Sequence, residues 1–174
     1  MAVTLIATVG GASSNSYSTV AEAETYHDTR LHNDAWNTGS SADKTIALIW
    51  STRLLDEWVD WNGSKVELME NQALRWPRYS VTDRDGEDFD SNIIPQFLKD
   101  ATAELAKDLL AEDVTADADT KGFSEMKIDV LSFKIDKGDR DATTVISDTV
   151  KTMVEPYGVI RSRAGSGVVE LMRA

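Results

Sequence analysis

The sequence predicts a mainly α-helical fold: a compact bundle of about four helices with a small β element and an extended C-terminal tail. Three observations carry this prediction. A capping box opens the first helix, apolar residues recur at helical spacing over 42–61, and a proline begins an amphipathic stretch at 95–111. We place the helical domain at 1–158 and the tail at 159–174.

The chain begins with a predicted short strand and the first helix. Residues 3–9 alternate well enough for a strand, and two glycines end the alternation. Thr19 and Glu22 form a capping box, in which each side chain accepts a hydrogen bond from the other residue's backbone amide. We therefore expect a strand near 3–9 and a helix over 20–31.

The second predicted helix, 42–61, carries two apolar stripes. At about 100° per residue, one arc holds six apolar residues: Ile46, Ala47, Trp50, Leu54, Trp58 and Trp61. Leu48, Leu55 and Val59 form a second stripe, roughly opposite. Such a helix is either central in its own domain or shared with a neighbouring subunit. Which stripe faces a neighbour stays open, and we name the second stripe as a candidate subunit contact.

Two further helices are predicted on either side of a change in periodicity. Pro95, at a first helical position, opens a helix that continues to about residue 111. Apolar and polar residues then alternate over 126–137, which predicts short strands. A fourth helix should span about 144–155, where Pro156 ends it.

Charge and residue types limit the possible functions. The net charge is −12, with 18 basic and 30 acidic residues, whereas free nucleic acid is normally bound through clustered cations. The chain has no cysteine, and His27 and His32 lie five apart, which is the wrong spacing for two metal ligands on one helix face. Nucleotide-binding and nucleophile motifs are missing, and no apolar run approaches the length of a bilayer span. We expect a protein that is not an enzyme, with no cofactor, no metal and no membrane contact.

The segment Leu74-Arg75-Trp76-Pro77-Arg78 is the most distinctive motif. It joins a large ring, a residue of fixed φ and a planar cation. The residue before a proline avoids helical geometry, which favours a rigid extended element. As chemistry the motif points to docking and not to catalysis. We expect the segment to be structural or to lie at a subunit contact, with Trp76 inserted and Arg78 paired to a carboxylate. Trp76, Pro77 and Arg78 are therefore candidate contact residues.

The tail, 159–174, reverses the charge of the acidic body. Arg161 and Arg163 supply cations, and the Gly-Ser-Gly sequence at 165–167 supplies a hinge. Four apolar residues follow, a patch too small to fold alone: Val168, Val169, Leu171 and Met172. We expect these residues to order on a partner.

Seven landmarks recur in one order over about 15–157. They are Asn15-Ser16-Tyr17 before Glu22-Ala23 and Tyr26; Ala47-Leu48-Ile49 leading to Leu54-Leu55-Asp56; Trp61-Asn62-Gly63; Leu74 to Arg78; Asp85-Gly86; Ile94-Pro95; and Ala101-x-x-Glu104-Leu105-Ala106. This order resembles the head–tail connector (adaptor, or head-completion) proteins of tailed bacteriophages. The same sequence group is often labelled DnaT-like single-stranded DNA-binding.

The resemblance implies a mostly helical structural protein of the virion that assembles as a ring, a dodecamer by family resemblance, beneath the portal protein. Such a ring extends the DNA channel and offers a platform for the downstream stopper or tail protein. DNA would pass through without specific binding, and the portal becomes the expected partner of the tail. The resemblance places the protein at the head–tail interface after synthesis in the host cytoplasm. The alternative is a DnaT-like single-stranded DNA-binding replication accessory protein.

Overall fold

The computed structural model describes residues 3–67, 71–112 and 145–161. The predicted strands at 126–137 and most of the predicted tail lie outside these ranges. The described helices are α1 Val20–Asp28, α2 Asp34–Thr38, α3 Ser41–Trp58, α4 Gln96–Ala111 and α5 Asp148–Val154, followed by a 3-10 turn at Glu155–Tyr157. The strands are β1 Val59–Trp61, β2 Ser64–Lys65, β3 Arg78–Tyr79 and β4 Gly158–Ile160. Strand β1 pairs with β4 and β2 with β3, both antiparallel. The mainly α-helical prediction is confirmed for this part of the chain.

Helix α4 lies at the centre of the bundle and contacts each of the other four helices. It packs against α1, α2, α3 and α5. Helices α3 and α4 run antiparallel, since Leu48 clusters with Ala106 while Leu55 clusters with Leu98. Ser51 ties the pair together by donating to the Thr102 carbonyl at 3.0 Å. Fully buried alanines on α4 let the two backbones approach closely.

Two helix predictions are confirmed with small changes in length. In α1 the Thr19 hydroxyl accepts from the Glu22 amide at 3.2 Å, and the Thr19 amide donates back to Glu22 at 2.8 Å. This helix ends at Asp28, three residues earlier than predicted. Pro95 stands directly before α4, as its missing N–H and fixed φ predict.

The predicted helix 42–61 ends at Trp58, because the last three residues form β1 instead. Aromatic and β-branched residues such as Val59 and Trp61 favour a strand when a partner strand is present. Here β4 supplies that partner, from a region a hundred residues away in the sequence. The helical periodicity could not show this long-range pairing.

The strand predicted at 3–9 is wrong, because the structure describes no strand there. The segment is held by Asn15 instead of a neighbouring strand. The Asn15 side chain accepts from the Ile6 amide at 2.7 Å and donates to the Thr4 carbonyl at 2.9 Å, while its backbone amide donates to Ile6. Because the Asn15 side chain hydrogen-bonds to these backbone groups, the segment does not require a paired strand to satisfy them.

Glu104 of α4 is 2% exposed, although it is an acidic residue. Its carboxylate accepts from Arg30 at 2.7 Å, from Lys107 and from the Tyr26 hydroxyl at 3.2 Å. Two cations and a hydroxyl offset the cost of burying the charge. The short helix α2 was not predicted; it covers the bundle with Trp36, which is 1% exposed.

Candidate interaction site

The Trp-Pro-Arg segment lies inside the chain. Trp76 is 1% exposed, and Pro77 and Arg78 are buried with it. The Trp76 ring packs edge-on against Trp61 at 5.8 Å and Phe97 at 5.7 Å between centroids. The predicted insertion of Trp76 is confirmed. Of the two expectations, a structural role fits these contacts, because the Trp76 ring packs in this chain's own core and the three residues are not an exposed docking element.

Arg78 binds backbone carbonyls, so the predicted carboxylate pair is wrong. Its guanidinium donates to the carbonyls of Asn62 at 2.6 Å, Gly63 at 2.7 Å, Trp61 at 3.3 Å and Arg75 at 3.1 Å. The turn after β1 leaves these oxygens pointing inward, and a guanidinium has five donors in a fixed fork with which to satisfy them. Arg78 therefore stabilises the turn and presents no charge to a partner.

A buried Tyr17–Asp56 pair holds the same segment from the other side. The Tyr17 hydroxyl donates to the Asp56 carboxylate and accepts from the amides of Arg75 at 3.1 Å and Trp76 at 3.3 Å. Burial raises the pKa of the Asp56 carboxyl, and burial together with the nearby Asp56 charge raises the pKa of Tyr17 well above its usual value. The sequence had placed neither residue in the site, although each stands in a landmark motif.

Gln72 completes this internal network with a side chain that has no exposed surface. Its amide nitrogen donates to the carbonyls of Leu74 and Pro77, both at 3.0 Å, and its oxygen accepts from the Glu67 amide at 3.1 Å. Its own carbonyl accepts from Lys65 at 2.7 Å. These side chains together hold the segment in place. We call them the structural clamp and define it as Tyr17, Asp56, Gln72, Trp76 and Arg78.

An open groove lies at the opposite end of the α3–α4 pair, where α3 begins and α4 ends. Its volume is about 550 Å³, and it lies between α2, α3 and the last turn of α4. The lining residues are Ala35, Thr38, Gly39, Asp43, Ile46, Ala47, Trp50, Leu109 and Leu110. Ile46 is 47% exposed and Trp50 is 44% exposed. Two large apolar side chains thus stay nearly half exposed beside this groove, which makes it the candidate interaction site among the described residues.

The apolar stripe proposed as a subunit contact is instead part of the core. Leu48, Leu55 and Val59 each have 0% exposure, because α4, α5 and their neighbours cover them. The prediction that these three residues form a subunit contact is wrong. The exposed apolar residues of α3, Ile46 and Trp50, belong to the other stripe.

The start of the predicted tail belongs to the folded body. Val159 pairs with Asp60 in the β1–β4 ladder, and the Arg161 amide donates to the Trp58 carbonyl at 2.8 Å. The Arg161 guanidinium binds the Asp60 carboxylate in a bidentate pair. The other candidate residues of the tail lie outside the described residues: Arg163, Val168, Val169, Leu171 and Met172.

Most cations of the described residues are already bound to groups of this chain. The described ranges hold eleven Lys and Arg against twenty Asp and Glu. Six of the eleven are in ion pairs: Arg30, Lys44, Lys99, Lys107, Lys151 and Arg161. Lys65 and Arg78 bind backbone carbonyls. Within the described ranges Arg53, Arg75 and Arg84 remain with neither kind of contact from their charged groups, too few for a continuous cationic track.

His27 is buried among residues of the bundle. His27 is 1% exposed, with Nε2 at 3.1 Å from the Ala103 carbonyl and its ring 4.6 Å from that of Trp36. Among the described residues no cluster of three or more His, Asp or Glu could hold a metal ion. Over the same ranges, no helix has the length and apolar character needed to cross a membrane.

Comparison with known proteins gives one match. A family model described as "Putative DnaT-like ssDNA binding protein" matches residues 1–174. Neither the curated proteins nor the solved structures contain a significant match. The match favours the alternative expectation, DnaT-like single-stranded DNA binding, and gives no support to the head–tail connector family. This chain belongs to the putative DnaT-like ssDNA binding protein family.

Proposed function

We propose that this protein is a non-catalytic subunit of a multi-copy assembly that works beside DNA, in the form of a head–tail connector ring. The observation that carries this proposal is the use of the cations. Eight of the eleven described Lys and Arg are bound to carboxylates or carbonyls of the same chain. A protein that binds the DNA backbone through counterion release needs such cations to be free and clustered.

The open groove supports contacts with protein. Ile46 and Trp50 remain nearly half exposed beside an apolar floor. Large aromatic side chains that line partly open pockets are typical of protein–protein interfaces. A ring of acidic subunits would also line a channel through which DNA slides without sticking, since like charges repel. In this proposal the portal protein lies on one side of the ring and the next stopper or tail protein on the other.

Single-stranded DNA binding is the second candidate, and the family match favours it. The described surface that best suits it is Trp50 with Arg53 one turn further along α3, both exposed. An exposed indole can stack on a base, and a neighbouring guanidinium can bind a phosphate. Against this, Glu57 follows Arg53 by one further turn on the same helix.

Fluorescence anisotropy with a labelled single-stranded oligonucleotide separates the two candidates. We expect no binding at micromolar protein and physiological salt. Sub-micromolar affinity with a steep salt dependence would establish the second candidate. In that event, loss of binding in Trp50→Ala and Arg53→Gln, with binding retained in Arg84→Gln as the matched control, would locate the site on α3.

The place of the protein in a particle is a separate test. We expect the protein to be stoichiometric in purified virions and located at the head–tail junction by immunogold labelling. Negative-stain images of the purified protein with its portal should show a ring beneath the portal. Absence from particles, together with expression alongside early replication proteins, would overturn the connector proposal.

A further inference from the structure

We infer that the groove between α2, α3 and the end of α4 receives the C-terminal segment, 162–174, of a second copy of this chain. The inference rests on the proposed multi-copy assembly and names the contact that would join neighbouring copies. It uses three features of the described residues: the chemistry of the groove, the polarity of the body and the point at which the chain leaves it.

The groove is apolar inside and anionic at its rim. Ala47, Leu109 and Leu110 form its floor, and Ile46 and Trp50 form one wall. Asp43 also lines it, and its carboxylate accepts from the Ser40 hydroxyl at 2.7 Å; among the described residues it is in no ion pair. Helix α4 ends at this groove with no basic residue in its last turn, so the helix itself places no cation at the negative end of its dipole. The groove therefore suits an apolar segment that carries a cation.

Residues 162–174 have this chemistry. Val168, Val169, Leu171 and Met172 supply apolar side chains, and Arg163 and Arg173 stand on either side of them. Glu170 is the one acidic side chain of the segment. Apolar residues could fill the floor beside Trp50, and an arginine could reach the Asp43 side of the rim.

The groove and the start of the C-terminal segment lie at opposite ends of α3, which favours contact between copies. The groove lies at the beginning of α3, whereas the Arg161 amide binds the carbonyl of Trp58 at the end of α3. Twelve residues of α-helix separate Ile46 from Trp58, which is about 18 Å along the axis. A groove at one end and a departing segment at the other produce a heterologous contact, which repeats and closes into a ring when the rotation allows it.

The segment is long enough for such a contact. Thirteen residues in extended conformation span up to about 43 Å, which exceeds the length of α3. The same reach would let the segment fold back onto its own groove. The experiment must therefore separate contact between copies from contact within one copy.

Disulfide trapping can make this separation because the chain contains no cysteine. Two single variants, Ile46→Cys and Leu171→Cys, are purified separately, mixed at equal concentration and oxidised mildly. We expect a covalent dimer linking the two variants, several times more abundant than in a mixture of Asp85→Cys with Leu171→Cys. Asp85 is an exposed residue of the loop after β3 and serves as the matched control away from the groove.

Two further samples sharpen the result. Adding Trp50→Ala to the Ile46→Cys chain should reduce trapping towards the control level, while circular dichroism shows an unchanged fold. A dimer yield equal to the control mixture would overturn the inference. So would a double variant, Ile46→Cys with Leu171→Cys, that closes only within single chains.

The outcome is distinguishable from failure of the proposed function. Rings seen by electron microscopy without trapping would leave the assembly proposal intact and remove this contact from it. A monomeric protein that binds single-stranded DNA tightly would remove both.

Discussion

The two ends of the α3–α4 pair are built in opposite ways. At the end of α3 the Trp76 ring is buried, and the other residues of the structural clamp hydrogen-bond to backbone amides and carbonyls of its segment and of the neighbouring turn. At the beginning of α3, Ile46 and Trp50 remain exposed beside an open groove. The most distinctive motif of the sequence is therefore internal, and the open apolar surface belongs to an ordinary stretch of helix.

A distinctive sequence motif can therefore be explained by its role in the chain's own fold, without a binding partner. A tryptophan, a proline and an arginine in succession are required where a chain segment must cross a core and satisfy the inward-facing carbonyls of a turn. A docking surface, in contrast, requires only that apolar residues of a helix remain uncovered. The helix pattern is the same whether or not a partner covers it.

Trp76→Ala should have the largest effect and tests the closed end directly. Truncating a buried tryptophan typically costs about 3–5 kcal/mol of unfolding free energy. Urea denaturation followed by circular dichroism measures this loss. Trp50→Ala is the matched control: its side chain is 44% exposed, so we expect a clearly smaller loss than for Trp76→Ala. Equal losses in the two variants would end the distinction between a closed and an open end.

Substitution of Arg78 should have the next largest effect. Arg78→Met removes the donor of four backbone carbonyls, of which only the bond to Trp61 is fully buried. One buried acceptor left without a partner costs about 1–3 kcal/mol, which sets the expected loss. Arg78→Lys retains the charge but lacks the planar fork, so we expect it to restore only a minor part of the loss. If Arg78→Lys is as stable as the parent protein, charge and not the hydrogen-bonding fork is what the site needs.

A smaller effect is expected from pH, through His27 on the groove half of the molecule. Burial lowers the pKa of His27, so the folded state holds it neutral where the unfolded state would protonate it. The stability that this provides is fully present above the unfolded pKa of about 6.5 and is lost as pH falls through the folded pKa.

The measurement is the urea midpoint between pH 7.5 and pH 5. His27→Gln should show a flatter dependence than the parent protein over this range. His32→Gln is the control, because His32 is an exposed residue outside the bundle, and it should retain the slope of the parent. A parent midpoint that rises on acidification over this range would contradict the assignment.

The sequence predicted the features that depend on neighbours along the chain. The capping box of Thr19 and Glu22 and the proline before α4 are local, and both were confirmed. Features that depend on distant partners were missed. The β1–β4 pairing joins Val59 to Ile160, and buried Glu104 is paired with Arg30, which reaches it from the loop after α1.

The candidate site was predicted less well for the same reason. Helical spacing separated the two stripes of α3, but it could not show that α4 covers Leu48 and leaves Trp50 open. Equally, nothing near Arg78 in the sequence indicated the carbonyls of Asn62 and Gly63 as its partners. Which face of a helix is buried depends on tertiary packing, and periodicity records only that a face is apolar.

The most direct test of the open and closed ends is the mass of the protein in solution, measured by sedimentation equilibrium over a range of concentrations. Our account predicts that the parent protein self-associates and that Trp50→Ala shifts the equilibrium strongly towards monomer while its circular dichroism spectrum stays that of the parent. Self-association of Trp50→Ala at the strength of the parent protein would contradict the account, because the open groove would then play no part in assembly.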